Sequence, residues 1–137
     1  MHSEPVEDSG ARRNLPLLSF IAVTLTVLVL YLLPSEVHIW IYRLVDKNFG
    51  ISVGLMAISK TTHIVSFFIM TTLAYFTFKR IYLSIFLLIL YAVLLEIAQG
   101  LIPHRSGDII DLYMNMIGIV AGVALSSAIV AFRTKVD

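Results

Sequence analysis

The chain has 137 residues, 58% of them hydrophobic and only 14% charged, with a mean hydropathy of +0.90, whereas soluble domains run about half apolar and about a quarter charged. A soluble domain of this size could not hide several unbroken apolar stretches without large exposed patches, so lipid is the expected solvent. A net charge of +1 supplies no field for nucleic acid, and the lack of cysteine excludes disulfides, thiolate metal sites and a cysteine nucleophile.

Residues 1–14 carry Glu4, Glu7 and Asp8 ahead of Arg12 and Arg13, include Pro5 and Gly10, and read as a short disordered tail. Residues 15–33 are an uncharged apolar run closed by Pro34. At about 1.5 Å per residue this run just crosses a hydrocarbon layer of about 30 Å. Its length, and the lack of a small-residue cleavage site before Pro34, favour a retained anchor over a signal peptide.

Within residues 35–59, Val37, Ile41, Leu44, Val45 and Phe49 share a helical face around Trp40, Tyr42 and Tyr31. The pattern predicts an amphipathic helix in the first outer loop, lying on the membrane–water interface with Arg43 and Lys47 reaching headgroups. An ordered loop packed on the bundle is the open alternative. The second span ends at Phe78 and begins between Ile51 and Ile64. The third covers residues 81–102 after Lys79-Arg80, and the last covers 112–132 before Arg133 and Lys135.

The expected fold is therefore an all-α integral membrane domain of four transmembrane helices over residues 15–135. When the spans alternate, Arg12, Arg13, Lys79, Arg80, Arg133 and Lys135 fall on one side. Arg43, Lys47, Lys60 and Arg105 fall on the other, offset by Glu36, Asp46, Asp108 and Asp111. Basic residues accumulate on the cytoplasmic side of spans, so both termini are expected there, N-in and C-in, with the chain multi-pass and the tail cytoplasmic.

Polar residues gather at the opposite end of the spans. Glu96 and Gln99 stand three apart near the end of the third span and share a face, and an ionisable group at that depth is costly unless paired. The following loop offers Arg105, with Pro103 and Gly107 shaping its turn, and the next helix presents Asp108, Asp111 and Asn115 on one stripe. On the second span Lys60, His63 and Phe67 also point one way. Lys60, His63, Glu96, Gln99, Arg105, Asp108, Asp111 and Asn115 form one predicted layer. It is either a charge-paired staple of the bundle or a ligand site.

Glu96, His63 and Asp111 are the candidates for proton transfer, and Arg105 suits bidentate contact with a carboxylate or phosphate. Carboxylates with a single histidine and no ligand motif at diagnostic spacing imply no metal site, and no cofactor loop is present. Gly118 and Gly122 make a small-residue pair that lets another helix approach closely, and a homo-oligomer contact is expected there.

These same residues resemble the VanZ-like family of bacterial membrane proteins, named after an accessory protein linked to teicoplanin resistance. The family pattern is similar to Asp-Lys-x-x-His-x-x-x-Phe, Glu-x-x-Gln and Arg-Ser-x-Asp-x-x-Asp-x-x-x-Asn-x-x-Gly. Here Lys60, His63 and Phe67 match while Ser59 replaces the leading acid. Glu96 and Gln99 match the second part, and Arg105, Ser106, Asp108, Asp111, Asn115 and Gly118 match the third. The resemblance covers residues 59–128 and leaves the first span and amphipathic segment outside. It implies a multi-span inner-membrane protein and, for some members, lowered susceptibility to lipoglycopeptides, but no settled reaction.

The functional expectation is a protein that binds a lipid-linked or glycopeptide-like amphiphilic ligand of the cell envelope, with membrane lipid as its surroundings and Arg105 and Lys60 on anionic groups. An intramembrane enzyme acting on a lipid-linked substrate and a small dimeric transporter are the alternatives.

Overall fold

The computed structural model describes residues 9–49, 54–78, 80–102 and 107–136. Among them are five α-helices and no strand: α1 (Ser9–Leu32), α2 (Ser35–Phe49), α3 (Leu55–Phe78), α4 (Ile81–Gly100) and α5 (Ile109–Val136). All but α2 are long and apolar enough to cross a membrane.

The helix limits follow from local chemistry. Pro34 has no N–H with which to extend α1, and its carbonyl accepts the amides of Val37 and His38 to open α2. The Gly54 carbonyl does the same for Ala57 and Ile58 at the start of α3. α5 begins at Ile109, ahead of the apolar run, because Asp108 caps it: Oδ1 accepts the Ile110 amide at 2.9 Å. α1 begins at Ser9, within the segment read as a tail, since extending a formed helix costs far less than nucleating one.

Lipid tails are as apolar as leucine, so outward-facing side chains lose nothing by staying uncovered. Leu25, Phe86 and Val120 are each more than half exposed. The inward core is small, built from Val27, Phe67, Met70, Ala74, Leu88, Ala92, Leu95 and Ile119. Six hydroxyls along the spans return to their own helix: Thr24, Thr26, Thr62, Thr72, Thr77 and Ser84 each donate to the carbonyl four residues earlier. In hydrocarbon, where no water competes, this removes the cost of a bare donor.

Close packing between helices then depends on small residues. Gly118 and Gly122 bring α5 onto α3, and both are buried there. A β-carbon on Gly118 would collide with the Ile64 carbonyl and lie 3.0 Å from both Phe67 Cβ and Phe68 N. One on Gly122 would lie 2.7 Å from Thr71 Cβ and 2.9 Å from the Phe68 carbonyl. The homo-oligomer contact expected at these glycines thus finds no free surface, because the close approach is made by α3 of the same chain.

α2 forms where the apolar periodicity placed a helix. Val37, His38, Ile41, Tyr42 and Val45 are half-buried, while Ile39, Trp40, Arg43, Leu44 and Lys47 are exposed. Leu44, grouped by spacing with Val37, Ile41 and Val45, is 46% exposed. The turn between Tyr42 and Val45 carries it round with Trp40.

Gly118→Ala is expected to lower the melting midpoint of the purified protein in detergent. Overpacking against backbone costs about 1–3 kcal/mol, more than the ~1 kcal/mol that alanine gains in helix propensity. Gly54→Ala, where nothing lies within 4 Å of the added carbon, is the control expected to melt near wild type.

Candidate functional site

The end of α1, the start of α3, the end of α4 and the start of α5 meet at one end of the bundle, and the polar layer lies there. Lys60 on α3 reaches across to α5, its ammonium 2.6 Å from Asp108 Oδ2 and 2.5 Å from Asp111 Oδ1. Asp111 holds a second group, with Oδ2 at 3.5 Å from His63 Nε2. The other ring nitrogen of His63 lies 3.0 Å from Asn115 Oδ1. Either orientation of the Asn115 amide serves it, the carbonyl as acceptor or the NH2 as donor. Lys60, Asp111, His63 and Asn115 thus form a continuous polar seam between α3 and α5, directly above the glycine contact.

Glu96 comes from α4 and meets the start of α5. Its Oε1 accepts the backbone N–H of Asp108, so a carboxylate stands where unpaired amides and the helix dipole favour negative charge. Gly107 permits this approach, since a β-carbon there would sit 3.3 Å from the Glu96 carbonyl and 3.5 Å from Oε1. The second carboxylate oxygen, Oε2, is buried and has no hydrogen-bond partner among the described residues. Charged or protonated, such an oxygen costs free energy until a donor or acceptor meets it.

Gln99 is drawn elsewhere. Only 2% exposed, it donates from Nε2 to the Tyr31 carbonyl at 3.2 Å, satisfying one of the orphan acceptors that end α1. The Tyr31 ring packs on His63 with centroids 4.6 Å apart. Tyr31 therefore belongs to the layer, although its apolar run and aromatic ring read only as a membrane-interface residue. A cleft of about 160 Å³ opens beside these rings, lined by Tyr31, His38, Ile41, Tyr42, Thr62 and His63. His38 and Tyr42 were the other members not foreseen. Their signal was a histidine and a tyrosine four apart on the inward face of α2.

Seven of the eight expected site residues, Lys60, His63, Glu96, Gln99, Asp108, Asp111 and Asn115, meet at this end of the bundle. Arg105 lies outside the described residues, as do Pro103 and Ser106. Lys60 is held by two carboxylates, which take two of its three N–H donors and already surround it with negative charge. Both nitrogens of His63 face α5 partners, which suits a fixed ring better than a base awaiting a substrate proton. Among the described residues no group of three or more histidine, cysteine or acidic side chains could hold a metal ion. The hydrogen bond from Lys60, followed by that from the Ile110 amide, holds the Asp108 carboxyl below the usual aspartate range. Its contribution to stability is complete above that range and is lost as pH falls through the lowered value.

A family model described as VanZ/LLP1 matches residues 6–131 of the chain. The match extends upstream of the motif region to take in α1 and α2, which the sequence resemblance left outside. No curated protein and no solved structure matches.

Lys60→Met should lower the melting midpoint at neutral pH, by about 1–3 kcal/mol once the partial exposure of the three side chains is allowed for. It leaves Asp108 and Asp111 facing each other without a cation. Acidification through the carboxylate range then relieves the variant while it weakens wild type, so the gap between the two melting curves narrows as pH falls. A gap independent of pH would show that the pairs contribute nothing.

Proposed function

The chain belongs to the VanZ/LLP1 family, and from that premise we propose that it binds the polar head of an amphiphilic cell-envelope ligand, lipid-linked or glycopeptide-like, at the layer around Glu96. Through that binding it lowers susceptibility to glycopeptide and lipoglycopeptide antibiotics. The observation that carries this reading is the buried Glu96 Oε2, which lacks a partner among the described residues in a layer whose other described carboxylates, Asp108 and Asp111, are both paired with Lys60. A staple would satisfy its own members. A site leaves polar groups for the ligand, and Asn115 Nδ2, also buried without a partner among the described residues, is a second.

The chemistry of the layer selects the contacting part of the ligand. Lys60 is occupied, and the described carboxylates outnumber the cations, so the group that meets Glu96 is a hydrogen-bond donor such as a hydroxyl, amide or ammonium. The cleft lined by Tyr31, His38, Tyr42 and His63 supplies aromatic faces for the same head.

In this reading both termini are cytoplasmic and the layer opens to the outer leaflet of the bacterial inner membrane, as the distribution of Lys and Arg favours. α2 lies along that interface, with exposed Trp40 and Leu44 toward the acyl boundary and Arg43 and Lys47 toward headgroups.

Purified protein in nanodiscs, titrated with teicoplanin and separately with a lipid extract of the cell envelope, should melt higher with one of the two. The increase should be lost in Glu96→Gln, which keeps the Asp108 hydrogen bond but changes the ligand-facing group. Neither addition raising the midpoint, or equal rises in wild type and variant, would refute the assignment of Glu96 as the contact.

A further inference from the structure

A second cavity, of about 210 Å³, lies between α1, α3 and α4, away from the polar layer and toward the opposite end of the spans. Its wall includes Phe20 and Thr24 of α1, Met70 and Ala74 of α3, and Leu88 and Tyr91 of α4. Phe20 and Phe78 close one end as an edge-to-face pair with centroids 5.1 Å apart. At the other end the Tyr91 hydroxyl donates to the Thr24 carbonyl at 3.0 Å.

Each polar group in the wall is already committed. Thr24 donates to the Phe20 carbonyl, Ser84 to that of Arg80, and Tyr91 to that of Thr24. A water molecule needs two to four polar partners, and apolar cavities of about 150 Å³ are known to stay dry and to take up hydrocarbon. An empty space of this size would forfeit the dispersion contacts of its lining. Met70, Ala74 and Leu88 are buried at the back of the cavity, whereas Phe78 and Leu87 at its rim are 42% and 50% exposed. The rim lies within the membrane-spanning segments, where the surrounding solvent is acyl chain.

We propose that this cavity is a binding site for part of one acyl chain of a membrane lipid, which enters between the helices and completes the packing of α1 against α3 and α4. It is separate from the layer around Glu96, and its occupant is recognised by shape and apolarity alone.

The test uses the full-length protein in nanodiscs containing a phosphatidylcholine with a photoactivatable diazirine midway along one chain, with adducts located by mass spectrometry. Adducts should concentrate on Met70, Ala74, Leu87 and Leu88, relative to the lipid-facing surface of α5 at Val120 and Phe132. Ala74→Leu, which fills the cavity, should reduce the adducts at Met70 and Leu88 by about tenfold, the equivalent of about 1.4 kcal/mol of lost affinity, and leave those at Val120 unchanged. Ser84→Val, whose larger side chain narrows the cavity from the α4 side, should lower the same adducts and keeps the test open if Ala74→Leu fails to fold. Adducts in the cavity no denser than at Val120, or undiminished in the filled variant, would overturn the proposal. Crosslinks joining two copies through α1 and α4 would also overturn it, by giving the space to a second chain.

Discussion

The contact on which the rest of the molecule depends is that of α5 against α3, where the Ile64 carbonyl occupies the space of a missing side chain at Gly118. In lipid, two helices associate only as well as their surfaces fit, and glycine permits the closest fit. That approach brings Asn115, one turn before Gly118, within reach of His63, and Asp111, a turn earlier, within reach of both Lys60 and His63. A bulkier residue at Gly118 would separate the helices and every one of these polar contacts with them. The seam and the glycine pair are one device, apolar contact below and charge pairing above.

The charges in the layer divide by commitment. Lys60 pairs with Asp108 and Asp111, His63 with Asp111 and the Asn115 carbonyl, and Gln99 ties α4 to the end of α1, while Asn115 Nδ2 is buried without a hydrogen-bond partner among the described residues. Glu96 differs in charge: one of its oxygens is taken up by the amide at the start of α5, and the other has no partner among the described residues. On the proposed reading, these buried groups left over among the described residues are what a ligand uses. On the proposed function, the two readings that the sequence left open, staple and site, divide the layer between them.

Much of this was legible beforehand, because composition and apolar run length depend on the membrane alone. Four runs near 20 residues required four spans, and residues spaced three and four apart had to share helix faces. That reasoning brought Lys60, His63, Asp108, Asp111 and Asn115 to one end. It could not assign partners across helices. Gln99 was grouped with Glu96 by spacing, yet the rotation of α4 against α1 sends it to the Tyr31 carbonyl. Tyr31 was hidden because an aromatic ring ending an apolar run has an ordinary reading at the membrane surface. The Gly118 and Gly122 pair announced a close helix contact without saying whether the partner lay in the same chain. Helix ends shifted for local reasons, Asp108 drawing the start of α5 ahead of its apolar run.

The central claim is that Glu96 meets a ligand while its neighbours hold the helices. The most direct measurement is protection of a deletion strain against teicoplanin by wild type and Glu96→Gln at matched membrane levels, since glutamine preserves the bond to Asp108 and the fold with it. The account predicts that Glu96→Gln inserts and melts like wild type but no longer protects. Protection equal to wild type would contradict it and leave the whole layer as a staple of the bundle.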